Sequence, residues 1–420
     1  MAALPDAPTV LATVQAALAR ARVTEPLAAW AHLDVDGAAV RARALDAGLE
    51  ATQAAAGVLH GLPVGIKDLI DTADQPTEYG SPAYRGHRPA HDAEVVRRLR
   101  AAGAVVLGKT VTTEHALFHP GPTRNPHDPL RSPGGSSSGS AAAVAAGVVP
   151  VALGTQTAGS VLRPASFSGV VGTKPSFGVV PTAGIKPCAP SLDTVGVLAA
   201  DAGLAAAVLG VLADDPERFR PWVPDRPLRV GFCRTPWWSA LEPGAGAAIE
   251  AGVRRLAGGV ASGGGLEVVE VVAPESFGAL AGAQEALMAA EVLEALADEV
   301  PDTLSDTLRA YLQRAAQLAP GAPEAAALAE RWRARLPELF AGVDVLLVPA
   351  ALGEAPLLSA GSTGDPLPCR AFTLLGVPTV SVPGLLGPAG LPLGVQLVAP
   401  YGQDGLALGA ATSIGAALAG

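Results

Sequence analysis

With 420 residues, 49% hydrophobic and only 16% charged, the chain carries ample material for a large core. A net charge of −10 has the wrong sign for a nucleic-acid footprint. No run of like charge suits a membrane surface, and Gly, Pro or charge breaks every apolar stretch before the ~18 residues of a membrane span. The three cysteines, Cys188, Cys233 and Cys369, are odd in number and widely spaced, which fits neither a disulfide framework nor a zinc site. The first residues lack the basic start and apolar core of a secretory signal, so the expected setting is a reduced cytoplasm.

In chain order, Ala-rich stretches at 8–22 and 37–56 have helical apolar spacing. His60 to Ile70 reads as a short apolar strand interrupted by Gly and Pro. An amphipathic helix at 92–102 stops at Gly103 and leads into the strand 104–107, a step that suggests layered α/β architecture. A Gly/Ser/Pro loop spans about 120–139, followed by a helix at 140–147, a buried strand at 148–153 and a small-residue loop at 154–160. Further strands are expected at 228–232, 266–272, 343–348, 378–382 and 393–398, with helices through 273–340 and 404–418. The Pro- and Trp-rich stretch 215–227 is the best candidate for a hinge, yet no repeat or linker divides the chain. One domain over 1–420 is expected: a helical segment to 60, a core over 61–200, a pocket-shaping region over 201–340 and a return to the sheet over 341–420.

Only four of the 29 cationic residues are lysine: Lys67, Lys109, Lys174 and Lys186. Arginine keeps its proton in a protein whereas a buried lysine can lose it, so the retained lysines are candidates for work arginine cannot do. Lys67 lies in the apolar run Leu62–Ile70. It is either a strand-end cation paired with Asp68 or Asp71, or a base. A base at neutral pH must shed its proton, so burial has to draw its pKa from about 10.4 to near 7, roughly 4 kcal/mol.

Two loops of small residues, Gly134–Ser140 and Gly154–Ser160, can gather backbone N–H groups around an anion. Each alone also reads as a plain connector. Neither glycine run closes with the Lys-Ser or Lys-Thr that a nucleotide phosphate loop requires. Gly135-Ser136-Ser137-Ser138-Gly139 fits the nucleophile elbow with Ser137 at its centre, but none of the seven histidines follows it in the chain. A serine without histidine needs another base, and lysine is the known substitute. His87/His91 and His115/His119 have the i, i+4 spacing of metal ligands, but no third ligand is evident and no metal is expected.

The segment His60–Asp68, the stretch Thr77–Ser81, Lys109-Thr110 with Thr113-Glu114, and above all Pro133–Gly147 resemble the amidase-signature family. Gly159-Ser160, Gly169–Ser176, residues 191–198, and the C-terminal stretches Leu375–Pro383 and Gly390–Gln396 fit the same pattern in order. The resemblance implies a three-layer α/β/α sandwich, a large mixed twisted sheet with helices on both faces. It also implies Ser160 as nucleophile, Ser136 joined through a cis peptide bond as relay, and Lys67 as base. The backbone amides of Thr157, Ala158, Gly159 and Ser160 would form the oxyanion hole, supported by Ser137, Gln156 and Arg163. The family's commonest nucleophile loop reads G-T-D-T-G-G-S-I-R; here Gln156 replaces an acid, Ala158 a glycine, and Arg163 falls one place later. Ala158 offers only its backbone and should be harmless, whereas Gln156 and Arg163 put the local hydrogen-bond network in question. Lys174 and Asp193 fit structural roles, and Trp237 and Trp238 are candidates for the pocket wall or for packing.

The expected reaction is hydrolysis of a small carboxylic amide, extending to esters or carbamates, without metal or organic cofactor and without nucleic-acid or membrane partners. A homodimer is allowed. The alternatives are the amidase subunit of a tRNA-dependent amidotransferase and a catalytically inactive binding protein on the same fold.

Overall fold

The computed structural model describes residues 9–52, 57–260 and 265–419. Its centre is a mixed sheet of eleven strands: β1 Trp30–Leu33, β2 Pro63–Lys67, β3 Val105–Thr110, β4 Val151–Gln156, β5 Val171–Lys174, β6 Thr194–Ala199, β7 Leu228–Cys233, β8 Leu266–Val271, β9 Val345–Pro349, β10 Thr379–Leu386 and β11 Pro392–Val398. They lie in the order β1-β3-β2-β4-β6-β5-β10-β11-β9-β7-β8. β2 runs parallel to both β3 and β4, and β7 parallel to both β8 and β9; the other pairings are antiparallel.

Alternation along the strands sorts side chains to two faces. Val151 and Leu153 of β4, Val195 and Val197 of β6, and Val345 and Leu347 of β9 join one apolar cluster with residues of the helices Glu94–Ala101, Ala202–Leu212, Ala245–Val260 and Asp404–Ala419. Ala152 and Leu198 turn the other way, into a cluster with the helices Val10–Val23, Val35–Thr52, Ser138–Ala145 and Leu162–Ser168. Leu346 and Val348 enter a third cluster on that same side, with Leu280–Ala295, Asp306–Leu318, Ala322–Leu339 and Leu367–Leu374. Strands buried on both faces carry nearly continuous apolar runs, which is why β4 and β9 read so clearly from sequence.

Several boundaries move. The strand expected at 148–153 starts at Val151, because Gly147 adopts φ +66° and the chain turns before it can extend. The helix expected from 140 begins at Ser138. The end of the helix expected at 37–56 lies outside the described residues after Thr52. β1, β5 and β6 carried no strand expectation: β1 and β5 have only four residues each, and Gly172 and Gly196 interrupt the patterns of β5 and β6. The stretch 215–227 is no free hinge, since Phe219 is buried in the core and the Trp222 amide donates to Gly405 O at 3.1 Å.

Candidate active site

The parallel strands β2 and β4 end side by side, one at Lys67 and the other at Gln156. Loops leaving the carboxyl ends of parallel strands are where such sheets build ligand sites. Between them sits the turn 134–137, which leads into the helix Ser138–Ala145.

That turn is stitched to the sheet by its own serines. Ser138 Oγ donates to Val111 O (3.2 Å), Ser140 Oγ donates to Leu153 O (2.8 Å), and Ser137 Oγ bridges the Thr155 carbonyl and amide at 3.3 Å each. A Cβ on Gly139 would come within 2.2 Å of Ala29 O and 2.3 Å of Val111 N, so glycine there lets the start of the helix press against the backbone that flanks β1 and β3. Ser137 is fully buried with its hydroxyl engaged, which removes the nucleophile-elbow reading. The Gly135–Ser136 peptide bond is cis.

Lys67 has no exposed surface. Its Nζ donates to Ser136 Oγ at 2.7 Å and to Thr155 Oγ1 at 2.7 Å, with Thr155 O at 3.5 Å. Neither Asp68 nor Asp71 pairs with it: Asp68 meets Lys109 instead (3.4 Å), and Asp71 accepts from the Tyr79 hydroxyl (2.9 Å). Burial pulls the Lys67 ammonium down to about 7, and the Asp193 carboxylate opposes that fall.

The loop after β4 has an unusual hydrogen-bond pattern. Each of its four carbonyls is taken by a donor from elsewhere: Thr157 O by Gln284 Nε2 (2.9 Å), Ala158 O by Thr373 Oγ1 (2.7 Å), Gly159 O by the Arg163 amide (3.0 Å) and Ser160 O by the Ser137 amide (3.3 Å). The four amides of the same residues find no acceptor among the described residues. The Ser160 hydroxyl likewise has none, and Ser160 is more exposed than Ser136, 9% against 2%.

The supporting residues hold this loop in place. Gln156 Oε1 accepts from the Val161 and Leu162 amides (2.9 and 3.1 Å), a task a carboxylate could share, while its Nε2 donates to Thr373 Oγ1 (3.0 Å). Arg163, displaced by one position, makes two backbone contacts: Nη2 donates to Gly135 O (2.7 Å) and Nε to Thr363 O (2.9 Å). Burial lowers this guanidinium to about 10, which leaves it charged. Asp193 accepts from Thr157 Oγ1 (2.5 Å) and from the Cys188 and Ala189 amides (2.8 and 3.0 Å). Two clamps, Gln284 and Thr373, escape sequence reasoning. Thr373 lies just before the family-like stretch Leu375–Pro383, the one signal that could have found it, and nothing marks Gln284. Trp237 and Trp238 pack against Phe277 and Phe232.

Comparison with known proteins agrees with this architecture. The Amidase family profile matches residues 12–408. The chain is 38% identical to a glutamyl-tRNA(Gln) amidotransferase subunit from Anaeromyxobacter sp. strain K, covering 92% of this chain and 88% of that one. Among solved structures it is similar to an amidase (TM-score 0.87, 33% identity, 97% of this chain and 96% of that one). It also resembles the native peptide amidase of Stenotrophomonas maltophilia (TM-score 0.79, 31% identity, 97% and 93% covered). The chain belongs to the amidase family and is an amide hydrolase.

Proposed function

We propose that the chain hydrolyses a carboxylic amide through an acyl-enzyme on Ser160, with Ser136 as relay and Lys67 as base. The observation that carries this reading is a lysine with no exposed surface whose amine faces two hydroxyls and no carboxylate. Neutral Lys67 accepts the Ser136 proton, and Ser136 takes that of Ser160 as it attacks the carbonyl carbon. The Ser136–Ser160 link forms as substrate arrives, since catalytic hydrogen bonds often close only in the substrate complex. The carbonyl oxygen, now carrying negative charge, is met by the unpaired amides of Thr157, Ala158, Gly159 and Ser160. Protonated Lys67 returns its proton through Ser136 to the departing amine. Water then attacks the ester by the same relay run again, releasing the acid and restoring Ser160.

This chemistry uses no metal or organic cofactor, and it extends to esters and carbamates. We read the chain as one amidase-signature domain acting on small molecules, without nucleic acid, in a reducing cytoplasm that suits its three buried, unpaired cysteines. No helix among the described residues is long and apolar enough to cross a membrane.

A second reading follows from the similarity to amidotransferase subunits, in which the amidase would work only within a complex. One experiment separates the two. The purified chain alone should hydrolyse a simple aryl amide, and a fluorophosphonate probe should label Ser160, located by peptide mass spectrometry. Turnover that appears only with partner subunits would favour the second reading. Absence of labelling under every condition would favour an inactive binding protein.

A further inference from the structure

Beside the nucleophile loop lies a cavity of about 660 Å³, lined by Phe118, Tyr311, Arg314, Asp365, Pro366 and Arg370 among others. One wall of it touches that loop: a Cβ on Gly159 would lie 3.0 Å from the lining residue Pro366. Arg370 is 8% exposed, and Nη1 donates to Gln284 Oε1 at 2.7 Å. Gln284 in turn holds Thr157 O in the loop that carries Ser160. No carboxylate of the described residues forms an ion pair with Arg370, and that one amide oxygen is its only hydrogen-bond acceptor there. The other charges lining the cavity, Glu285, Arg314 and Asp365, form no ion pair with Arg370. Arg314 pairs with Glu285 (2.7 Å), and exposed Asp365 accepts from the Leu367 amide (2.9 Å). A nearly buried guanidinium with unused donors and no ion-paired carboxylate can take an anion, and its planar fork matches a carboxylate.

We propose that this cavity is a substrate subsite in which Arg370 binds a carboxylate carried by the amide substrate. The proposal rests on the hydrolase reading of Lys67, Ser136 and Ser160, and it names the substrate class: amides with a second, anionic end. The carboxylate can sit on the acyl or the amine side, and the test has an arm for each.

Hydrolysis by the purified full chain is measured on two matched pairs. Glutaric acid mono-para-nitroanilide is set against pentanoic acid para-nitroanilide, and the acetyl amide of para-aminobenzoate against acetanilide. In at least one pair the carboxylate-bearing substrate is expected to have a kcat/KM about tenfold higher or more. Arg370→Gln brings that ratio close to one, and Arg370→Lys keeps part of it. A ratio taken within one variant does not depend on the fraction folded. A ratio near one in both pairs for the unsubstituted chain, or a preference that survives Arg370→Gln, overturns the proposal. Calorimetric titration with glutarate, pentanoate and para-aminobenzoate reads the subsite without turnover. Carboxylate-selective binding that disappears in Arg370→Gln, with no hydrolysis of any pair, supports the subsite while sinking the hydrolase reading. Hydrolysis without discrimination or selective binding does the reverse.

Discussion

Lys67 and Lys109 stand on neighbouring strands, with Ile66 opposite Lys109 and Lys67 opposite Thr110, and both are fully buried. The surroundings of their amines differ in kind. Lys109 Nζ donates to Ile70 O (2.7 Å) and Thr77 Oγ1 (2.5 Å) and pairs with Asp68 (3.4 Å). Burial lowers Lys109 to about 8 and raises Asp68 to about 6, each pulled back by the other's charge. Lys67 has two hydroxyls and one long contact to a carbonyl. A carboxylate holds the charge of its lysine partner in place, whereas a hydroxyl can pass a proton onward. Lys174 adds a control: burial lowers it to about 7 as well, but its hydrogen bond goes to Pro175 O, and a carbonyl relays nothing. A displaced pKa is therefore not what would separate the proposed base from the struts. The partners would do that.

Substitution tests this contrast most sharply. Ser160→Ala and Lys67→Met should each lower kcat/KM for an aryl amide by about 10⁴-fold or more while the melting temperature stays close to that of the unsubstituted chain. Lys109→Met should do the opposite: it strands Asp68 in the interior and costs about 3–5 kcal/mol of stability, read by denaturant unfolding, yet the folded fraction keeps activity within about tenfold. If Lys109→Met abolishes catalysis in folded protein, the division between strut and base is wrong. Arg163→Met releases both the Gly135 and the Thr363 carbonyls and should lower kcat/KM by about 100-fold, because it misplaces the proposed relay serine and loosens the turn beside the cavity. The pH profile is a finer probe. The base acts when neutral, and the neutral form of Lys67 grows as pH rises through about 7. So kcat/KM should climb about tenfold per pH unit below that value and level off above it, with the midpoint retained in Lys174→Met. A flat profile between about pH 5 and pH 9 with chemistry rate-limiting would falsify Lys67 as the base. The smallest effect is expected from Gln156→Glu, which keeps both accepted amide bonds and loses only the donation to Thr373, so activity should stay within about threefold.

The proposed trio of Lys67, Ser136 and Ser160 stands out in the sequence because its neighbourhood is written locally. Small residues at Gly134, Gly135 and Gly139 and the run of serines are demanded by a turn pressed between strands, and such demands leave a dense, ordered pattern. The scarcity of lysine also pointed inward: Lys67, Lys109 and Lys174 are fully buried, and Lys186 is tied to Glu299 and Tyr84. Long-range clamps were harder to see. Gln284 meets Thr157 and Thr373 meets Ala158 across 127 and 215 positions of chain, and a single polar residue on a helix face carries no periodic signal of its partner. The same limit explains Gln156 and Arg163, whose departures from the common pattern raised questions that only their partners could answer. It also explains Trp237 and Trp238, large residues whose neighbours Phe277 and Phe232 come from other elements.

One side chain ties two distant stretches together. Arg163 grips the carbonyl just before Ser136 with one nitrogen and the backbone at residue 363 with another, and the second stretch adjoins the proposed substrate cavity. A single guanidinium thus links the proposed cavity to the proposed proton relay. A ligand that moves the 362–366 turn is expected to shift the backbone before Ser136 through this guanidinium, so across a series of substrates tighter seating and faster acylation should rise and fall together.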